Sequence, residues 1–228
     1  MSADVTRILR GTSLLGSVPE SDLEAVAAVS RMRHYRRSQV VFTRSDPGDT
    51  VIVVVSGRIK ISVRSADGGE LTLAIVRAGG VLGEIGVVDG GTRTADAETL
   101  EESELLLIPR DAVRDVCARV PSAAQALTNS IAATLRRLTD VTADLVFLDL
   151  PRRVAKVLLG QPRDDDGVIR PWISQEELAH QVGSTRQSVN AALRGFERRG
   201  WIEMRDRTVA VKQPAALARF AGTELSAS

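Results

Sequence analysis

The 228-residue sequence contains a single cysteine, Cys117, so no intrachain disulfide can form and no multi-cysteine zinc or iron–sulfur site is available. Cys117 reads as a small apolar residue, buried or half-buried. The two histidines, His34 and His180, lie far apart, and neither has partners at the spacing of a ligand set. No metal is expected. No apolar run approaches the roughly 20 residues of a membrane span, and the opening Met1-Ser-Ala-Asp-Val-Thr-Arg lacks the apolar stretch of a secretory signal. A cytoplasmic location is the expectation. Neither a nucleophile–base–acid set nor a phosphate loop of the nucleotide-hydrolase kind is present, so no enzyme is expected. No repeat of fixed period occurs, and low complexity is confined to a short Ser/Ala tail.

What is present suits a folded chain of one large or two modest domains. Hydrophobic residues make up 43% and charged residues 26%, enough apolar side chain for full cores. The net charge of +1 hides an asymmetry. Residues 1–150 carry 17 basic and 20 acidic side chains, and residues 151–228 carry 13 and 9. A basic C-terminal part suits contact with a polyanion, although a face of +4 can equally be plain solvated surface.

Short helices are expected near Asp4–Leu9 and over Glu20–Val29. Segments Gln39–Thr43, Thr50–Val55, Arg58–Val63, Leu71–Val76 and Ser103–Ile108 are short and rich in Val and Ile, and read as strands. Ten of the 18 glycines fall between Gly48 and Gly91, and Asp67-Gly68 is a hairpin signal. Turns at that density indicate a compact antiparallel roll rather than a βαβ fold. After Pro109 the period becomes helical: Arg110–Val120, then a long helix from about Pro121 to Leu148. On that helix Ile131, Leu135, Leu138, Thr142 and Leu145 recur at alternating spacings of four and three. Such a seam favours pairing with a second helix, the alternative being packing on its own domain. Asp149-Leu150-Pro151 should break the helix and form a hinge. A helix over Arg152–Leu159 and the polar loop Gln161–Gly167 follow.

The segment Ser174–Phe196 reads as a helix-turn-helix. Ser174 and Glu177 make a capping box ahead of Leu178, Ala179 and Val182. Gly183 permits the sharp turn, and Ser184 or Thr185 caps a second helix whose inner face is Val189, Ala192, Leu193 and Phe196. Its outer face begins Thr185, Arg186, Gln187, Asn190. Arginine suits guanine O6 and N7, and Gln or Asn suits adenine. The N-terminal residues of a recognition helix are those that enter the major groove. Arg194, Arg198 and Arg199 can neutralise phosphates. Two short strands about the charged turn Arg205-Asp206-Arg207 make a wing. A winged module used only for protein contacts is the alternative.

In the glycine-rich stretch Gly83–Ala95, backbone N–H groups can approach an anion closely. Arg93 offers a planar fork for phosphate, and Glu84 an acceptor for a ribose hydroxyl. A plain Glu84–Arg93 ion pair is the alternative reading.

Taken in order, Gly83-Glu84-Ile85, Arg93-Thr94-Ala95, Phe147-Leu148-Asp149, Arg153-Val154-Ala155 and Gln175–Leu193 make the chain similar to the CRP/FNR family of bacterial regulators over nearly its whole length, closest to actinobacterial members. The segment Phe42–Asp49 fits their early roll. The resemblance implies an α+β chain: a cyclic-nucleotide-binding-type antiparallel β-roll (jelly roll) over 1–120, a dimerisation helix and hinge over 121–149, and a winged helix-turn-helix over 150–228. It implies a homodimer on a palindromic operator in double-stranded DNA, with RNA polymerase as a further partner. No cofactor is implied; the effector is a cyclic nucleotide, cyclic AMP first. Its candidate site is Gly83, Glu84, Ile85, Arg93, Thr94 and Thr139, and the candidate DNA contacts are Ser174, Gln175, Ser184, Thr185, Arg186, Gln187, Asn190 and Arg194. Cyclic-AMP-responsive members carry Thr followed by Ser or Asn on the long helix to read adenine, and an arginine one turn earlier. This chain has Leu138-Thr139 and Thr134. The alternative is therefore the same fold and DNA binding with no ligand or a different effector. On the recognition helix, Gln187 stands where the family commonly has glutamate, so the operator should depart from the family consensus there.

Overall fold

The computed structural model describes residues 2–161, 174–205 and 208–223. The chain divides into two compact units, one of Met1–Val63 with Leu73–Leu138, the other of Arg64–Thr72 with Thr139–Ser228. The division falls inside the long helix and sets the tip of one hairpin with the C-terminal residues.

The first unit opens with α1 (Ser2–Arg10) and α2 (Glu20–Val29). Eight strands follow: β1 (Arg31–Tyr35), β2 (Val40–Phe42), β3 (Thr50–Ser56), β4 (Arg58–Arg64), β5 (Glu70–Arg77), β6 (Val81–Leu82), β7 (Asp96–Thr99) and β8 (Ser103–Pro109), with α3 (Ile85–Asp89) between β6 and β7. They form two four-stranded sheets, ordered β1-β8-β3-β6 and β2-β7-β4-β5. The strand pairs are antiparallel, with Val53 opposite Leu106 and Ile61 opposite Ala97. β3 and β8 are apolar without a break because both their faces are covered. Ile52, Val54 and Leu105 point between the sheets, where Tyr35, Ile59, Leu82 and Ala97 meet them. Val51, Val53, Leu106 and Ile108 point the other way, onto the helices. Those helices are α1, α2, α4 (Arg110–Arg119) and the start of α5 (Pro121–Phe147).

The five expected strands are present within a residue or two. β1, β6, β7 and α3 were not expected. β1 reads Arg-Met-Arg-His-Tyr and is exposed except at Tyr35; as the outermost strand of its sheet it has one paired edge and no apolar alternation. The helix after the hinge, α6 (Leu150–Leu159), starts two residues early. The break lies at Leu148-Asp149, where Asp149 caps α6 by accepting from Arg152 N at 3.0 Å, and Pro151 sits in the first turn, where its missing N–H costs nothing.

The second unit continues with α7 (Gln175–Gln181), α8 (Arg186–Arg198), the hairpin β9 (Ile202–Arg205) with β10 (Thr208–Val211), and α9 (Pro214–Ala221). The wing turn at Asp206-Arg207 and all but the first residue of the loop Gln161–Gly167 lie outside the described residues. Val154, Leu158, Leu178, Val189, Leu193 and Phe196 form one core with Ile202, Val211 and Leu217. Phe196 is its aromatic centre. It stacks on Trp201 at 5.9 Å between centroids and meets Phe220 edge-on at 5.6 Å. Arg153 ties the helix ends together: its Nε donates to Val182 O at 3.1 Å, and its Nη1 to Leu148 O at 2.9 Å. Lys156 adds an ion pair to Asp144 at 2.7 Å.

Phe196→Ala should lower unfolding free energy by about 3–5 kcal/mol through the cavity it leaves. Urea denaturation followed by near-UV circular dichroism measures this, and an unmoved midpoint would contradict the packing.

Candidate ligand cavity and nucleic-acid interface

A cavity of about 670 Å³ opens in the first unit, between the roll and α5. The most buried charged group of its lining is Arg93, only 7% exposed. Nη2 of Arg93 donates to Thr50 O at 2.8 Å and Thr50 Oγ1 at 2.9 Å. The guanidinium lies over the Phe42 ring, 4.3 Å from its centroid. Nε and Nη1 are buried with no hydrogen-bond partner. Burial pulls the arginine below its ordinary range, against the opposing pull of Asp49, Asp46 and Glu84. A guanidinium still keeps its proton at neutral pH. A buried cation with two vacant donors is a strong attractor for an anion.

The backbone around it is built for close approach. Gly83 has φ +84°, and a Cβ there would fall 2.1 Å from Arg93 Nη1. A Cβ on Gly48 would meet Gly91 O at 2.3 Å. Arg93 N donates to Asp46 O, and Ser45 N to Arg93 O, at 2.8 and 2.9 Å. These bonds zip the Phe42–Asp49 loop against the arginine. Asp46 holds the loop's turn by accepting from Thr43 N at 2.7 Å, the bond that chiefly lowers its pKa.

Gly83, Glu84, Ile85, Arg93 and Thr94 all line the cavity. No ion pair joins Glu84 to Arg93 among the described residues, so the plain ion-pair alternative does not hold. Instead Glu84 Oε1 accepts from Ser130 Oγ of α5 at 3.4 Å. Thr139, the remaining candidate, is an exposed residue of α5 and belongs to the second unit. Helix α5 lines the cavity with Ser130, Ala133, Thr134, Arg137 and Leu138. Phe42, Thr50 and Ser130 were missed as neighbours of the site. Only tertiary structure joins them to it, since Thr50 is 43 residues from Arg93.

The stripe on α5 is shared out. Ile131 packs on the helical core, Leu138 lines the cavity, and Leu145 lies against Gly183. Leu135 and Thr142 are exposed, and the large exposed apolar side chains of the helix are Leu135 at 65%, Val146 at 68% and Phe147 at 80%.

In the helix-turn-helix, Ser174 and Glu177 form the expected capping box, with Glu177 N to Ser174 Oγ at 3.1 Å and Ser174 N to Glu177 Oε2 at 2.6 Å. Gly183 has φ +60° in the turn. Thr185, rather than Ser184, caps α8, accepting from Ser188 N at 3.2 Å. Ser184 N is spent on Ala179 O. Arg186, Gln187, Ala191, Arg194 and Arg198 are exposed along one face of α8, opposite the buried Val189, Ala192, Leu193 and Phe196. Asn190 is less free than expected: its Nδ2 donates to Gln175 Oε1 at 2.9 Å, binding α8 to the start of α7. Arg199 turns back to Gly195 O and the Trp201 ring.

Comparison with known proteins agrees with this geometry. Residues 32–120 match the cyclic nucleotide-binding domain family, and residues 152–220 the Crp-like helix-turn-helix domain family. The chain is 34% identical over 220 residues to the CRP-like cAMP-activated global transcriptional regulator of Mycobacterium tuberculosis, covering 94% of this chain and 98% of that protein. It is 28% identical over 214 residues to the cyclic AMP receptor protein of Thermus thermophilus, covering 93% and 98%. Among solved structures, the c-di-GMP responsive global regulator CLP of Xanthomonas campestris superposes with a TM-score of 0.75 at 25% identity, over 85% of this chain and 99% of that one. The cavity, the helix-turn-helix and these matches across both units together show that the chain belongs to the CRP/FNR family of transcriptional regulators, proteins that are not enzymes.

Proposed function

We propose that this protein is a homodimeric, sequence-specific DNA-binding regulator whose operator affinity is set by a cyclic nucleotide in the β-roll, cyclic AMP being the effector named for the Mycobacterium tuberculosis and Thermus thermophilus relatives. The observation that carries the reading is the buried Arg93, which leaves Nε and Nη1 unsatisfied beside a glycine that makes room for an anion. The cyclic phosphate meets Arg93 and Thr94, the backbone at Gly83 and Ile85 closes around it, and Glu84 accepts from the ribose hydroxyl. Two copies pair along α5 through the exposed Leu135, Thr142 and Val146, which follow a helical stripe. Each copy lays Arg186 and Gln187 in the major groove, with Ser174, Gln175, Ser184, Thr185 and Arg194 near phosphates. Two-fold pairing demands an imperfect palindrome with half-sites about one turn, roughly 34 Å, apart. Regulation proceeds through RNA polymerase in the cytoplasm.

Titration calorimetry with cyclic AMP is the central test. Arg93→Ala should abolish the binding heat while leaving the fold intact by circular dichroism; undiminished binding would remove the pocket assignment. In gel shifts, Arg186→Ala should weaken binding to the selected operator by about 1–3 kcal/mol and leave random DNA almost unaffected. An equal loss on both would make Arg186 a phosphate contact only. Sedimentation of Leu135→Asp with Val146→Asp should give a monomer where the unaltered protein gives a dimer; a dimer that persists places the interface elsewhere.

A further inference from the structure

The far end of the cavity differs in chemistry from the phosphate end. Its wall there is aliphatic, with Leu73 from β5 and Leu138 from α5. Thr134 supplies one hydroxyl. The remaining polar group of α5 at this end is Arg137, half-buried on the cavity lining. Its Nη1 donates to Leu73 O at 2.7 Å. That bond anchors the guanidinium and leaves four of its five N–H donors. No carboxylate lies within ion-pair distance of it among the described residues.

Its position along the helix matters. Ser130, which reaches Glu84, marks where a ribose would lie. Arg137 is seven residues further on, about two turns or roughly 10 Å along the same face. A nucleotide held by its phosphate at Arg93 and its ribose at Glu84 therefore extends its base toward Thr134, Arg137 and Leu138. Leu73 and Leu138 suit the flat faces of a purine. Arg137 can only donate to its edge. Guanine offers two adjacent acceptors, O6 and N7, and a guanidinium fork satisfies both. Adenine offers N7 beside an amino group, so one arm of the fork meets another donor.

We infer that Arg137 reads the O6/N7 edge of a purine base, so that the cavity takes cyclic GMP at least as tightly as cyclic AMP. The inference rests on the cyclic-nucleotide reading of the cavity and adds the base that the cavity selects.

The experiment is calorimetric titration of the full-length protein with cyclic AMP, cyclic GMP and cyclic IMP, the last keeping O6 and N7 without the 2-amino group. Cyclic GMP and cyclic IMP should bind alike, and neither more weakly than cyclic AMP. Arg137→Leu should weaken both oxo-purines by roughly tenfold or more and cyclic AMP by less than about twofold. Arg137→Lys keeps the charge without the fork and should show the same selective loss, which answers the question if the leucine variant folds poorly. A preference of the unaltered protein for cyclic AMP by roughly tenfold overturns the inference. So does a ratio that neither substitution moves, or an equal loss of all three ligands. If the unaltered protein binds none of the three, the cyclic-nucleotide reading itself fails. If it binds them with Arg93 required and Arg137 indifferent, that reading stands and only the base selection falls.

Discussion

The first unit is organised about a guanidinium that folding removes from water without fully pairing it. Burying an ion costs several kcal/mol unless neighbours compensate. Arg93 has partial compensation: two bonds to Thr50, the face of Phe42, and the more distant charges of Asp46, Asp49 and Glu84. Each contact constrains the chain elsewhere. Thr50 must begin β3 at that register, the Phe42–Asp49 loop must fold back, and Gly83 must stay without a side chain. The two sheets and their apolar interlayer are the frame that keeps these groups aligned. The remaining deficit at Nε and Nη1 is one that an anion would make good.

How much of this could be read beforehand depended on how local the determinant was. The helix-turn-helix was legible almost residue by residue, because capping, the Gly183 turn and the apolar face of α8 lie within 23 consecutive residues. The long helix and the central strands announced themselves by period and by β-branched content. β1 and β7 did not. Arg-Met-Arg-His-Tyr and Asp-Ala-Glu-Thr carry few apolar side chains, and pairing with β8, β2 and β4 decides their conformation. The cavity was half legible. Its glycine–glutamate and arginine–threonine groups showed in the sequence; Thr50, Ser130 and Arg137 are brought to it only by the closed roll. The same limit explains Asn190, which sits on the recognition helix but has its amide bonded to Gln175.

Helix α5 links these features because successive positions around it do different work. Ser130, Thr134, Arg137 and Leu138 face the cavity, Ile131 the core, and Leu135, Thr142 and Val146 solvent. Beyond residue 138 the same helix carries Asp144 to Lys156 and offers the carbonyls of Leu145 and Leu148 to Arg153, which also holds Val182 at the helix-turn-helix bend. The end of α5 is thus fastened to the bend by charge-assisted bonds rather than by apolar contact alone.

That arrangement limits where a switching free energy can arise. Moving a two-state equilibrium from one per cent active to ninety-nine takes about 5.5 kcal/mol of differential binding. A phosphate on Arg93 contributes to this only to the extent that the two states differ at Arg93. The arginine is held by Thr50 and Phe42, parts of the roll that its strand pairing keeps fixed, so phosphate binding favours affinity over discrimination between states. Groups on α5 that line the cavity, outside the paired strands, are where a differential contact can be added. With Leu138 unable to hydrogen-bond through its side chain, the polar groups of α5 that remain at the cavity are Ser130, Thr134 and Arg137. A bidentate base contact is worth about 1–3 kcal/mol, less than a full switch requires in one copy. Two ligands acting on a paired assembly would double the term to about 2–6 kcal/mol, a range that reaches what a full switch requires.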